Sequence, residues 1–320
     1  MQDFKNVVAQ FENRLRGQSP FPPEPYNLYE PCRYLLSLGA KRVRPALCVM
    51  GNELFADIKE DAWHAATAIE LFHNFTLVHD DIMDKAPLRR GHATIHAKYG
   101  LTAGILSGDV MCIEAYVQLA KLGNHLPELL QLFNATAIEV CEGQQLDMDF
   151  EQRDDVSIDE YIRMIALKTS VLVACSLKMG AVIGGASRGD ADKLYEFGKN
   201  VGIAFQLQDD YLDAFGDTAK LGKQNGGDIM ANKKTFLLLK AKELAGPKTG
   251  ELNELMVAEE DTKVRGVLTL YKETGADELC REAVEQYSEK AFCCLEEIDA
   301  PADRKEPLRK LASYLLQRDK

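Results

Sequence analysis

Two runs of aspartate lie inside apolar, helix-patterned sequence, and a chain that carries them there has few ways to fold. The first belongs to HNFTLVHDDIMDKAPLRRG, residues 73–91, and the second to FQLQDDYLD, residues 205–213. Residues three and four apart share a helical face, so Asp80 and Asp81 both reach Asp84, and Asp209, Asp210 and Asp213 repeat that spacing. Three carboxylates on one face repel one another unless a cation lies among them. That points to a hard divalent ion such as Mg²⁺, which takes a few carboxylate oxygens together with water and phosphate. A lone DDxxD reads as a solvated acidic turn. A pair 129 residues apart, each flanked by apolar sequence (FTLVHDDIM and AFQLQDDYL), reads as two helices facing each other across a cavity.

The rest of the chain supplies the helices. Apolar residues recur at helical spacing nearly throughout, no strand-like alternation stands out, and breakers such as SPFPPEP (19–25), GAKRVRP (39–45) and APLRRG (86–91) separate the segments. The pattern predicts helices at 27–38, 44–54, 60–84, 101–122, 127–150, 158–186, 189–214 and 234–245, with shorter ones filling the C-terminal quarter. Segments 158–186 and 189–214 are apolar on more than one face, the mark of central helices. No linker, charge block or repeat interrupts the run, so the expectation is one all-α domain over residues 1–320, a helical bundle around a deep central cavity. A net charge of −12 argues against nucleic acid or an anionic membrane as partner. The N-terminus lacks a signal-peptide core, and the apolar stretch 171–186 is short of a membrane span and broken by Lys178. The eight cysteines form no CxxC pair and read as buried reduced thiols, which places the protein in the cytoplasm.

Several cations lie where an anion would be held. Lys41, Arg42 and Arg44 occupy a turn opening into a helix, a natural diphosphate anchor, and Arg89 and Arg90 follow Asp84 by five and six residues. His73 precedes Asp80 by seven residues and returns to nearly the same face, whereas His79 points elsewhere and reads as structural. Lys168 and Thr169 interrupt a strongly apolar helix; a lysine there needs an anion, and a metal-bound phosphate is the candidate. Gln206 shares a face with Asp209, and Lys223 and Lys233 flank a glycine-rich segment able to close positive charge over the site. Phe75 lies about 7.5 Å and Phe72 about 12 Å along the helix from Asp80. Aromatic side chains below a metal–phosphate site suit a substrate with a diphosphate head and a hydrocarbon tail.

Taken in order, GAKRVRP, the HDDIMD segment, GQQLDMDF, LKTS, FQLQDDYLDAFGD and GKQNGGDIMANKKT resemble the trans-isoprenyl diphosphate synthases, or polyprenyl synthetases, across most of the chain. The resemblance implies an all-α bundle, usually a homodimer. It implies that Asp80, Asp81, Asp84, Asp209, Asp210 and Asp213 hold Mg²⁺, three ions per site with Mn²⁺ able to substitute, on an allylic diphosphate. Arg89, Lys168, Thr169, Gln206, Lys223 and Lys233 would grip that group, with Lys168, Lys233 and the Asp80, Asp81, Asp84 and Asp209 carboxylates as the catalytic set. Lys41, Arg44, His73 and Arg90 would bind isopentenyl diphosphate. Phe75 followed by Thr76, with Phe72 deeper, resembles the short-chain enzymes that stop at C20, with C15 the alternative product. Ala40 stands where the family has a second glycine, and the terminal LLQRDK is less basic than in many relatives. A class I terpene cyclase would carry a second motif with Asn and Ser, and a non-catalytic partner subunit would have lost aspartates; DDYLD and six intact aspartates weigh against both.

Overall fold

The computed structural model describes residues 2–216 and 226–316. Its helices in chain order are α1 (Phe4–Gly17), α2 (Tyr26–Ser37), α3 (Val43–Phe55), α4 (Glu60–Met83), α5 (Ile95–Tyr99), α6 (Leu101–Leu119), α7 (Leu126–Glu151), α8 (Ile158–Ile165), α9 (Val171–Gly184), α10 (Arg188–Phe215), α11 (Gly227–Met230), α12 (Phe236–Leu244), α13 (Thr249–Met256), α14 (Glu260–Thr274), α15 (Ala276–Glu296) and α16 (Ala302–Leu316). Two strands of two residues, β1 (Leu88–Arg89) and β2 (His92–Ala93), pair antiparallel. The fold is all-α, and each of the eight helices expected between 27 and 245 is present within three residues of its expected bounds, with one exception. Where one helix was expected over 158–186, a π-helical turn at Ala166–Ser170 separates α8 from α9. Helices α1, α5 and α11 and the hairpin were not foreseen. The apolar stretch 171–186, expected to be too short for a membrane span, belongs to a longer run, Ile158–Gly184, that is apolar enough to cross one by length and composition; 72% of its most apolar window is buried in the protein.

The chain divides into two compact units, one of Met1–Phe133, Cys175–Asp192 and Asp299–Pro307, the other of Asn134–Ala174, Lys193–Ile298 and Leu308–Lys320. In the first, α3 and α4 bury Leu47, Met50, Leu54, Ile69, Leu71 and Phe72, joined by Met111, Leu119 and Phe133. Here α3 meets residues 177–184 backbone to backbone: a methyl group at Gly51 would overlap the Leu177 carbonyl, and one at Gly180 the Cys48 carbonyl. Glycine at these positions is what permits so close an approach. In the second unit Phe150, Tyr161, Ile165, Leu207, Leu237, Leu238, Leu270 and Tyr271 form the core. A capping box sets the start of α8, with Ser157 Oγ accepting from the Glu160 amide at 3.2 Å and the Glu160 carboxylate accepting from the Ser157 amide at 2.9 Å. All eight cysteines are free thiols, four of them buried.

Candidate functional site

In the first unit the site begins where α4 ends. Asp80 and Asp81 lie in the last helical turn, and Asp84 closes it, its amide donating to the Asp80 carbonyl at 2.8 Å. The chain then doubles back in the hairpin, whose two central residues, Arg90 (φ 53°) and Gly91 (φ 78°), both occupy the left-handed region. Such a two-residue turn matches the twist of its strands and explains why RRG makes a hairpin where no strand pattern exists. The turn returns Arg89 onto α4, where Nε donates to both oxygens of Asp81 at 2.9 Å and Nη2 lies 2.7 Å from Oδ1. Asp81 is only 3% exposed. Its carboxylate is therefore clamped, and Arg89 also lies 3.8 Å from Asp80 Oδ2.

Arg90 points the other way and donates to the Gly39 carbonyl at 2.9 Å, which joins the hairpin to the GAKRVRP turn. Gly39 itself has φ 69°, but Ala40 is absent from the left-handed positions, so alanine costs nothing there. Beside this turn Arg44 Nη1 lies 3.2 Å from His73 Nε2, while Arg44 Nε is buried with no hydrogen-bond partner. Burial lowers Arg44 to about 10 despite the favourable field of Glu70, with Arg90 adding repulsion. Burial, followed by Arg44, Arg90 and Arg89, holds His73 well below its ordinary range, so the ring stays neutral and accepts from the arginine. A niche of like charge with a buried donor left over has what an anion would need. Lys41 lies exposed at its rim.

Arg42 departs from the expectation that it belongs to the anion anchor. It is 2% exposed, and its guanidinium donates to Glu12 Oε1 at 2.6 Å, to the Leu36 carbonyl at 2.7 Å and to Glu70. Glu70 in turn accepts from Asn74 Nδ2 at 2.9 Å. No donor of Arg42 faces a ligand; the side chain braces the turn that carries its neighbours.

Below the first cluster, Phe75 packs against His79 with centroids 4.8 Å apart and against Phe72 at 5.5 Å. Phe72 rests on Phe133 at 5.1 Å, and Phe133 on Tyr116 at 5.5 Å. Thr76 turns its hydroxyl to the His73 carbonyl at 2.8 Å.

In the second unit Tyr161, Lys168, Thr169, Gln206, Asp209, Asp210 and Lys233 line one cavity of about 210 Å³, together with Asp147 and Asp228. The π-helical turn presents Lys168, which donates to Asp147 Oδ2 at 2.6 Å. The anion that this lysine requires is thus supplied by the protein, from GQQLDMDF, a motif noticed in the sequence but given no role. Asp210 is buried, and its oxygens accept from Gln206 Nε2 at 3.1 Å and from the Tyr161 hydroxyl. Asp209, beside it, is exposed. Asp213 works on the backbone: its carbonyl accepts from the Gly226 amide at 2.7 Å and its Oδ2 from the Asp228 amide at 2.9 Å, fastening the start of α11. Lys233 donates its amide to the Asp228 carbonyl at 2.9 Å, so Asp228 and Lys233 stand on one short turn. Lys223 lies outside the described residues.

Two carboxylates in this cavity are strongly perturbed. Burial, then repulsion from Asp228, pushes Asp210 up to about 7; burial, then Asp213, pushes Asp228 up to about 6 against the pull of Lys233. The negative charge gathered here exceeds what the lysines offset, and an all-oxygen donor set with that deficit fits a hard divalent cation. Among the described residues no three His, Cys, Asp or Glu side chains gather closely enough to hold a metal alone. Asp147, Asp228 and Tyr161 are the site residues that sequence reasoning missed. Asp228 was legible in GGDIM, whereas Tyr161 reads as an ordinary core aromatic.

An all-α chain with buried acids set against lysine and arginine is suited to an enzyme that acts on an anionic substrate. The chain matches the model of the polyprenyl synthetase family over residues 25–274 and belongs to that family. It is 38% identical over 319 residues to the geranylgeranyl pyrophosphate synthase of Geoglobus acetivorans, covering 98% of this chain and 97% of that one. A solved geranylgeranyl pyrophosphate synthase superposes with a TM-score of 0.95 at 43% identity, over 100% of each chain. A polyprenyl synthase from Caulobacter crescentus CB15, solved in complex with calcium and isoprenyl diphosphate, superposes with a TM-score of 0.87 at 28% identity, covering 99% of this chain and 98% of that one.

Proposed function

We propose that this prenyltransferase condenses isopentenyl diphosphate head to tail with dimethylallyl, geranyl and farnesyl diphosphates and releases mainly the C20 product, geranylgeranyl diphosphate. The observation that carries the reading is the cavity where Lys168, Lys233, Gln206 and Thr169 converge with Asp209, Asp210 and Asp228. The full-length likeness to geranylgeranyl diphosphate synthases supports the product. In this reading Asp80, Asp81, Asp84, Asp209, Asp210 and Asp213, with Asp228, hold Mg²⁺, three ions per site with Mn²⁺ able to substitute. Bound there, the metal neutralises diphosphate charge and so favours ionisation of the allylic C–O bond.

The protein's own groups do the rest. Lys168, Lys233, Lys223 and Arg89 offset the charge that builds on the leaving diphosphate, and Thr169 and Gln206 orient it. Lys41, Arg44, His73 and Arg90 hold isopentenyl diphosphate; neutral His73 and the buried Nε of Arg44 suit that anion. The double bond of isopentenyl diphosphate attacks the allylic cation, and the proton then lost passes to the released diphosphate. Phe75 and Thr76, backed by Phe72, stop the growing chain. The exposed apolar side chains of α6, Leu101, Ile105, Leu106, Ile113, Tyr116 and Val117, support a homodimer. The eight free thiols support a reducing, cytoplasmic setting. The deciding experiment gives purified protein Mg²⁺, labelled isopentenyl diphosphate and each allylic primer in turn, and separates the products by chromatography. C20 product is expected; a C15 end point would assign the farnesyl product, and no elongation from any primer would overturn the reading.

A further inference from the structure

Asp209 and Asp210 are adjacent in sequence but differ in setting: Asp209 is exposed, whereas Asp210 is 4% exposed with a protein donor on each oxygen. One donor is Gln206, on the same helix four residues earlier. The other is the hydroxyl of Tyr161, 2% exposed and held in the core of the second unit with Met164, Ile165 and Leu207. The capping box at Ser157 and Glu160 sets the start of α8 and with it the direction of this ring. About two turns of chain after Tyr161 the same segment carries Lys168 and Thr169. We propose that Tyr161 is a positioning residue for the reaction: through its hydrogen bond to Asp210 it fixes the carboxylate that shares the cavity with Asp209 and Asp228, so that the cavity presents one defined arrangement of charge to a cation and its diphosphate.

The physical reason is the crowding of acids. Four carboxylates line this cavity, and one without fixed donors rotates or moves to relieve repulsion from its neighbours. A donor that cannot move, because its ring is packed on all sides, removes that freedom. Gln206 supplies one oxygen's partner through a flexible side chain; Tyr161 supplies the other through a rigid one. Partners behind a metal ligand commonly change metal affinity by about ten- to a hundredfold when removed. The inference rests on the function proposed above.

The test measures binding by calorimetry, titrating Mg²⁺ into protein with inorganic pyrophosphate, for wild type, Tyr161→Phe, Asp210→Asn and the double variant. Tyr161→Phe is expected to weaken Mg²⁺-dependent pyrophosphate binding about tenfold while leaving KM for isopentenyl diphosphate unchanged. In the Asp210→Asn background the same change is expected to have little further effect, because the charge it positions is gone. Tyr161→His, which returns a ring N–H, should fall between wild type and Tyr161→Phe and covers the case in which the phenylalanine variant does not fold. Wild-type binding by Tyr161→Phe, or an equal loss in both backgrounds, would overturn the role of Tyr161. A wild type that elongates no primer would instead overturn the function, and this inference with it.

Discussion

Arg42 shows how residue type and residue role part company. Its sequence neighbours face an anion niche, yet its own guanidinium is spent on Glu12, Glu70 and the Leu36 carbonyl. Arg42→Met would leave the buried Glu70 carboxylate without its cation and should cost about 3–5 kcal/mol, read as a lowered denaturant midpoint. Adding Glu70→Gln should recover part of that loss; no recovery would mean that the pair is not the source. His73 carries a pH prediction. Its folded pKa lies well below the unfolded value near 6.5, so below pH 6.5 the unfolded chain binds a proton that the folded one refuses. Stability from this group is present above pH 6.5 and is lost as pH falls toward 5, by up to about 1.4 kcal/mol per pH unit. Wild type should therefore lose more stability than His73→Gln between pH 7 and 5, measured as paired melts; parallel curves would refute the neutral ring. At Phe75, truncation to alanine should lengthen the products with turnover largely kept. The gain is bounded, because Phe72 stands three residues or about 4.5 Å further along and is wedged on Phe133. Chromatography showing products no longer than wild type would remove Phe75 as the floor.

At the scale of elements, the π-helical turn of residues 166–170 is the departure that matters, since it carries Lys168 and Thr169. Nothing in ALKTS forbids an ordinary helix. The cause lies in what packs against it: a methyl group at Gly143 of α7 would overlap the Lys168 amide, and one at Gly202 of α10 would come within 2.7 Å of the Ser170 Cα. Two glycines thus admit a widened turn that the chain's own propensity does not ask for, a common device where function needs a displaced side chain. Gly143→Ala should cost about 1–3 kcal/mol of stability by overpacking and, by moving Lys168 from Asp147, lower kcat more than tenfold at a temperature where the variant remains folded. Full activity in a folded Gly143→Ala protein would show that the turn does not set the lysine.

At the scale of the whole molecule, α6 raises the question of association. Leu106, Ile113 and Val117 stand at helical spacing on its exposed side, an apolar stripe that a solitary chain would leave in water. Light scattering should give twice the chain mass for wild type and the mass of one chain for Ile113→Asp; the mass of one chain for wild type would remove the homodimer. Much of the architecture was legible in the sequence, because helical periodicity and the Gly, Pro and Asp breakers act locally, and so the bounds of α2–α4, α6, α7, α10 and α12 follow from neighbours along the chain. The candidate chemistry was legible as well, since carboxylates and lysines inside apolar runs are too costly to be accidental. What only the tertiary structure decided is which charge meets which. Arg42 turns to Glu70 while Arg44 turns to His73, Arg89 closes on Asp81, Lys168 on Asp147, and Tyr161 reaches Asp210. Those partners lie 8 to 49 residues apart. Pairing at such separations depends on how helices pack, and packing is a property of the folded chain that no local pattern encodes.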